Sequence, residues 1–144
     1  MKPKEFIDQL DDAKVLAAIN LAEQKSSGEI RLYVSNGRVD DALSAAQIQF
    51  ARLGMEKTRL RNGVLLFFAP KSQQFAIMGD SAIHEKCGND YWQEISKEMS
   101  ALLKGGQFTQ AIVQAINRVG DALAKHFPRA PEDRNELPDG IVRD

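Results

Sequence analysis

This chain of 144 residues holds one cysteine, Cys87. A lone thiol excludes an internal disulfide and a structural zinc site built on thiolates. His84 and His126 are the two histidines and lie far apart, so no His-Glu-x-x-His zinc motif exists. No apolar run exceeds Val64 to Ala69, which is far too short to cross a bilayer. Neither sign of charge is in excess: Lys+Arg 19 stand against Asp+Glu 20, a net charge of -1. That balance leaves no electrostatic footprint for nucleic acid, and the short cluster Lys57, Arg59, Arg61 reads as the flank of a strand. There are no repeats, no low-complexity stretch and no glycine loop of the phosphate-cradling kind. The opening MKPKEFIDQLDDAK is basic but has no apolar core, so it does not read as a signal peptide, and a cytoplasmic location is expected.

What is present is a globular composition, 43% hydrophobic and 27% charged, of a length that suits one domain. Pro3 suits the first turn of a short helix over Glu5 to Gln9. Asp11 and Asp12 are placed to cap a longer helix with the stripe Val15, Leu16, Ile19, Ala22, ended by Ser26, Ser27 and Gly28. Ile30, Leu32 and Val34 alternate with Arg31 and Tyr33, the pattern of a strand with one buried face. After the turn signal Asn36-Gly37, Asp40 and Asp41 cap a helix with the stripe Leu43, Ala46, Phe50, Leu53, stopped at Gly54. Val64 to Phe68 is unbroken and apolar, as in a strand covered on both faces. Pro70-Lys71-Ser72 turns the chain into a returning strand, Phe75 to Gly79, followed by a short helix around Ala82 to Lys86. Two amphipathic helices follow, one carrying Trp92, Ile95, Met99, Leu102 and one carrying Phe108, Ile112, Ala115, Val119, Ala122. Gly105-Gly106 joins them as a helical hairpin. The alternation predicts an α/β fold: a three-layer α/β/α sandwich with a small mixed sheet, built from a parallel βαβ unit plus an antiparallel hairpin strand, with helices on both faces. Residues 1–127 form the single domain in this reading. Residues 128–144 hold three of the five prolines and many charges and read as an extended tail, with Leu137, Ile141 and Val142 as possible anchors.

Chain direction then locates a site. The third strand runs against the first two, so its end, Gly79-Asp80, returns to the edge where they begin, at Glu29 and at Arg61-Asn62. Glu29, Arg61, Asn62, Asp80 and Ser81 converge there, with His84 and Glu85 one turn on. One reading is a cation site, with Asp80, Glu29, Glu85 and Asp90 as oxygen ligands for calcium or magnesium. A second is phosphate chemistry: Arg61 holds a phosphate bidentately, the helix start near Ser81 adds backbone donors, and a metal on Asp80 activates water. The plainest reading is structural: Asp80 or Ser81 caps the next helix, and Glu29 pairs with Arg61. His84 and Cys87 are three apart with no third group to orient them, so Cys87 reads as core filler.

The run Arg61-Asn62-Gly63-Val64-Leu65-Leu66-Phe67-Phe68 is similar to the "NGVLL" strand of TPM domains. Phe75 to Asp80 falls at that family's second hairpin strand and turn. Gly28-Glu29-Ile30 resembles the family's first strand and Gly105 to Ile112 its late helix entry, while Ile83-His84-Glu85-Lys86 with Trp92 and the ending Asn135-Glu136-Leu137-Pro138-Asp139 resemble a bacterial subgroup. The resemblance spans the chain from about Gly28 onward and implies the α/β/α sandwich. Plant members serve photosystem II repair and resemble a thylakoid lumen acid phosphatase, and some bacterial relatives bind calcium or magnesium in acidic loops. The resemblance thus implies Asp80 and its neighbours as site residues, with Glu29 and Asp90. Two departures stand out: a leader or anchor is not expected from this sequence, and Gly79-Asp80-Ser81 replaces the Gly-x-Gly of many members. The expectation is a divalent-cation-binding accessory or interaction module with room for an unknown protein partner. The alternatives are a metal-dependent acid phosphatase acting on phosphomonoesters and a ligand-free protein-interaction domain.

Overall fold

The computed structural model describes residues 6, 8–129 and 140–144. Pro3, Glu5 and Leu137 therefore lie outside the described residues, as does the 135–139 motif; Phe6, Asp8 and Gln9 are helical. The elements that follow are α1 (Asp12–Lys25), β1 (Glu29–Val34), α2 (Ala42–Arg52), β2 (Gly63–Ala69), β3 (Gln74–Gly79), α3 (Ser81–Cys87), α4 (Asn89–Lys104), α5 (Phe108–His126) and β4 (Gly140–Arg143).

The sheet order is β3-β2-β1-β4. β1 is parallel to β2, with Glu29 opposite Gly63, and β2 is antiparallel to β3, with Val64 opposite Gly79. The α/β/α sandwich expected from the alternation is what forms. Ile30, Leu32, Val34, Val64, Leu66 and Phe68 enter the larger core under α1, α4 and α5. Tyr33, Leu65, Phe67 and Ala76 enter a smaller core under α2, with Ala42, Ala46 and Phe50. β2 lies between two strands and two helical layers, so all seven of its residues are buried.

Three details differ from the periodicity. β1 is covered on both faces, because Tyr33 stacks on Phe67 with ring centroids 5.5 Å apart. Leu43 is 48% exposed. Asp41 caps α2 by accepting from the Ser44 N–H, and Ala42 takes the inward place of Leu43 beside the expected Ala46 and Phe50. The sheet also has one strand more than expected, since Gly140–Arg143 pairs in parallel with the outer edge of β1, Arg31 opposite Gly140. Two half-buried apolar residues, Ile141 and Val142, carry that strand, too few to mark it against a charged background.

Candidate functional site at the start of the parallel strands

The edge where β1 and β2 begin is held by backbone first. Gly54 adopts φ 70 after α2, a left-handed conformation that ends the helix without a Cβ penalty. A tight turn at 55–57 follows, and Arg61 then takes φ 53. In that pose the Arg61 carbonyl accepts the Ala82 N–H at 3.0 Å, while the Asp80 N–H donates to the Gly63 carbonyl at 2.9 Å. The approach to β2 is thereby tied to the exit from β3. Gly79 is required at that exit: a Cβ there would sit 2.8 Å from the Trp92 ring.

On this frame Arg61, Asp80 and Ser81 come together. The Arg61 Nε and Nη2 donate to the two Asp80 carboxylate oxygens, each at 2.8 Å. Asp80 also accepts the Ser81 N–H at 2.7 Å and so caps α3. The Asp80 side chain is 5% exposed and that of Arg61 49%. Asp80 raises the guanidinium pKa above its ordinary value. The structural reading of Asp80 as a cap holds, but its ion-pair partner is Arg61. The donors that a bound phosphate would need, the arginine fork and the Ser81 N–H, already face Asp80.

The remaining expected residues are distributed around this pair. Asn62 is buried, with its Nδ2 donating to the Ser27 Oγ at 3.2 Å. Glu29 is buried at the first position of β1. Strand alternation puts it on the same face as Arg31 and Tyr33. His84, Glu85 and Asp90 are exposed on α3 and at the start of α4. Among the described residues, no group of three or more His, Cys, Asp or Glu side chains is arranged to hold a metal ion.

Two neighbours escaped the sequence pattern. Thr58 is buried with its Oγ1 lacking a hydrogen-bond partner, and the Glu56 Oε2 is buried without one too. Their sole local signal is the charged, threonine-containing stretch between Gly54 and Gly63. Buried polar groups are normally satisfied. Glu23, Ser26, Glu29, Thr58, Asn62 and Asp80, nearly all of the buried polar residues, sit at or next to this one edge.

A mixed sheet of this order between unequal helical layers, with its buried polar groups gathered at the strand origins, defines an α/β sandwich domain with one distinctive edge. The chain belongs to the TPM domain family, whose model matches residues 1–122. It is similar to the BA42 protein of the psychrophilic bacterium Bizionia argentinensis, with 34% identity and a TM-score of 0.85 over 94% of this chain and 96% of that one. It also shares its fold with the N-terminal domain of cg2496 from Corynebacterium glutamicum, at 17% identity and a TM-score of 0.58 over 81% of this chain and 75% of that one. No match was found among curated proteins. Among the described residues, no helix is long and apolar enough to cross a membrane.

Proposed function

We propose that this TPM domain is a non-catalytic binding module whose ligand-responsive element is the Arg61–Asp80 pair, with a divalent cation as the ligand of Asp80. The carrying observation is the buried carboxylate of Asp80, neutralised by an arginine whose side chain is half in solvent. Such a guanidinium stands where a hard cation would, and it is free to leave into water. Calcium and magnesium take oxygen ligands, and calcium tolerates irregular sets completed by water. Glu29 and the partnerless Glu56 Oε2 support the reading, because they add acceptor oxygens to the same edge. Glu85 on α3 and Asp90 at the start of α4, both exposed, are the peripheral candidates. The phosphatase reading gains no comparable support, since Arg61 is engaged by Asp80.

Titration of the protein with calcium or magnesium, followed by amide NMR, tests this. Shifts are expected at Arg61 to Gly63 and Gly79 to Ala82, and Asp80→Asn should abolish them. Arg61→Ala should tighten binding, because it removes the internal competitor for Asp80. A spectrum indifferent to both ions in the parent chain and in Arg61→Ala would remove the cation from the proposal. A phosphomonoester assay that loses turnover in Asp80→Asn would replace it with the enzymatic reading.

A further inference from the structure

The sheet ends in β4 on one side and β3 on the other, and the two edges are built differently. β4 is short, carries Arg143 and is followed by Asp144, charges that discourage an incoming strand. β3 spans Gln74–Gly79 with no charge, no proline and no bulge in its register with β2. Natural edge strands are usually blunted by those devices. Every β3 residue except Ala76 is half-buried, so the strand is not covered by its own domain. The helix packed against it, α2, leaves Leu43 and Ile48 exposed, two of the three exposed large apolar side chains among the described residues.

One contact fixes the hydrogen-bond phase of β3. The Asp80 N–H donates to the Gly63 carbonyl at 2.9 Å, one step beyond the pairing of Val64 with Gly79. Hydrogen-bonded pairs alternate along an antiparallel ladder, so Met78, Ala76 and Gln74 direct their backbone groups at β2. Phe75, Ile77 and Gly79 direct theirs outward. Among the described residues, none of these three N–H and three C=O groups meets a backbone partner.

We infer that the open edge of β3 pairs with β3 of a second copy, antiparallel about a two-fold axis at Ile77, so that two four-stranded sheets become one of eight strands. Strand addition to a sheet edge draws its affinity from main-chain hydrogen bonds. Three observations favour an identical strand over a foreign one. The outward set is symmetric about Ile77: Ile77 meets its counterpart, and Phe75 meets Gly79 of the second copy on either side of the axis. All six outward groups of each copy are paired in that register, and one patch serves twice. A residue on the axis faces itself, so a charge there would repel its own copy, and isoleucine stands there. The flanking pair also matches in size. A Cβ on Gly79 would stand 2.8 Å from the Trp92 ring, so that ring fills the side-chain place, and Phe75 lies on the same face of β3. The Phe75 ring of one copy thus comes beside the Trp92 ring of the other, an aromatic contact repeated by symmetry. The pairing needs no cation at Asp80.

The full chain, followed by sedimentation over a concentration series, should pass from monomer to dimer. In the dimer the Phe75, Ile77 and Gly79 amides should exchange about tenfold more slowly than in the dilute chain, while those of Ala76 and Met78 stay protected throughout. A mixture of isotope-labelled and unlabelled copies should place the Ala76 Cα proton against that of Met78 in the other copy, the close pair that an axis at Ile77 dictates. Ile77→Pro removes an outward N–H and no bond to β2, so it should stay folded and lose the dimer. A parent chain that remains monomeric at millimolar concentration overturns the inference. So does a dimer whose outward amides stay unprotected or whose Ala76–Met78 contact is missing, and so does a folded Ile77→Pro that still dimerises. If that variant does not fold, exchange and labelling in the parent chain decide alone. A monomeric parent that captures a foreign extended peptide along β3 would reassign the edge and remove the second copy.

Discussion

Arg61 is the residue on which the polar edge turns, and its backbone is as informative as its side chain. A non-glycine residue at φ 53 carries a steric penalty, here offset by the fork onto Asp80 and by the Ala82 N–H on its carbonyl. Two substitutions separate these contributions. Arg61→Ala and Arg61→Gly both delete the ion pair, but only glycine relieves the backbone. Urea unfolding should therefore find Arg61→Gly the more stable of the two by about 1 kcal/mol. Equal midpoints would mean that the turn is not strained. The chemistry of this residue was legible in sequence; its conformation was not. An arginine two residues before a buried strand marks the edge, but the sequence pointed to Glu29 as its partner, where the structure has Asp80. The choice was made by the Asp80 N–H pairing with Gly63, a contact across the sheet.

At the scale of elements, α5 crosses α1 at close range. A Cβ on Gly120 would stand 2.8 Å from the Ala22 Cβ, so the two helices meet through small residues. Gly120→Ala should cost about 1–3 kcal/mol by overpacking, despite the better helix propensity of alanine, and a urea midpoint measures it. Unchanged stability would show that the helices can move apart freely. Beside that crossing, α1 and the N-terminal half of α5 leave a cleft of about 780 Å³, with the half-exposed Leu21 on its wall. Helix type and burial followed closely from period 3.6 in α4 and α5. They were less legible at the first turn of α2, where the Asp41 cap leaves Ala42 rather than Leu43 as the buried residue. Ala46 and Phe50 are buried as the stripe required, and only Leu43 is turned out. Alternation in β1 hid the second buried face because tyrosine, which counts as half polar in a pattern, stacks on Phe67 like any apolar ring.

At the scale of the whole molecule, the fourth strand links the chain's last described residues to its first helix and strand. Its two carboxylates make this link pH-sensitive. Hydrogen bonding to Arg143 holds the Asp12 carboxyl below its ordinary 3.8. Burial alone would raise Asp144, but the donors Asn36, Tyr33 and Ser35 outweigh it and hold that carboxyl below 3.8 as well. Folded values below unfolded ones mean that the unfolded chain binds more protons. The contribution of both groups is thus complete above 3.8 and lost as pH falls through their folded values. Amide exchange should show β4 losing protection under acid before β2 does, and Asp144→Asn should blunt that acid response. Simultaneous loss across the sheet would show that β4 has no separate stability. Locally the sequence showed only that Ile141 and Val142 could anchor this segment, which they do. The pattern around residues 128–144 read as a tail because its pairing partner is β1, remote in sequence and invisible to any window.

That remoteness has a consequence for synthesis. The outer side of β1 waits for a strand whose pairing spans Arg31 to Gly140. While the ribosome is still making the intervening helices, a nascent chain presents that unpaired backbone to whatever is nearby. Closure of the sheet becomes possible only once the last strand has emerged from the exit tunnel, so early release or a pause near residue 139 would leave a sticky ribbon for chaperones to mask.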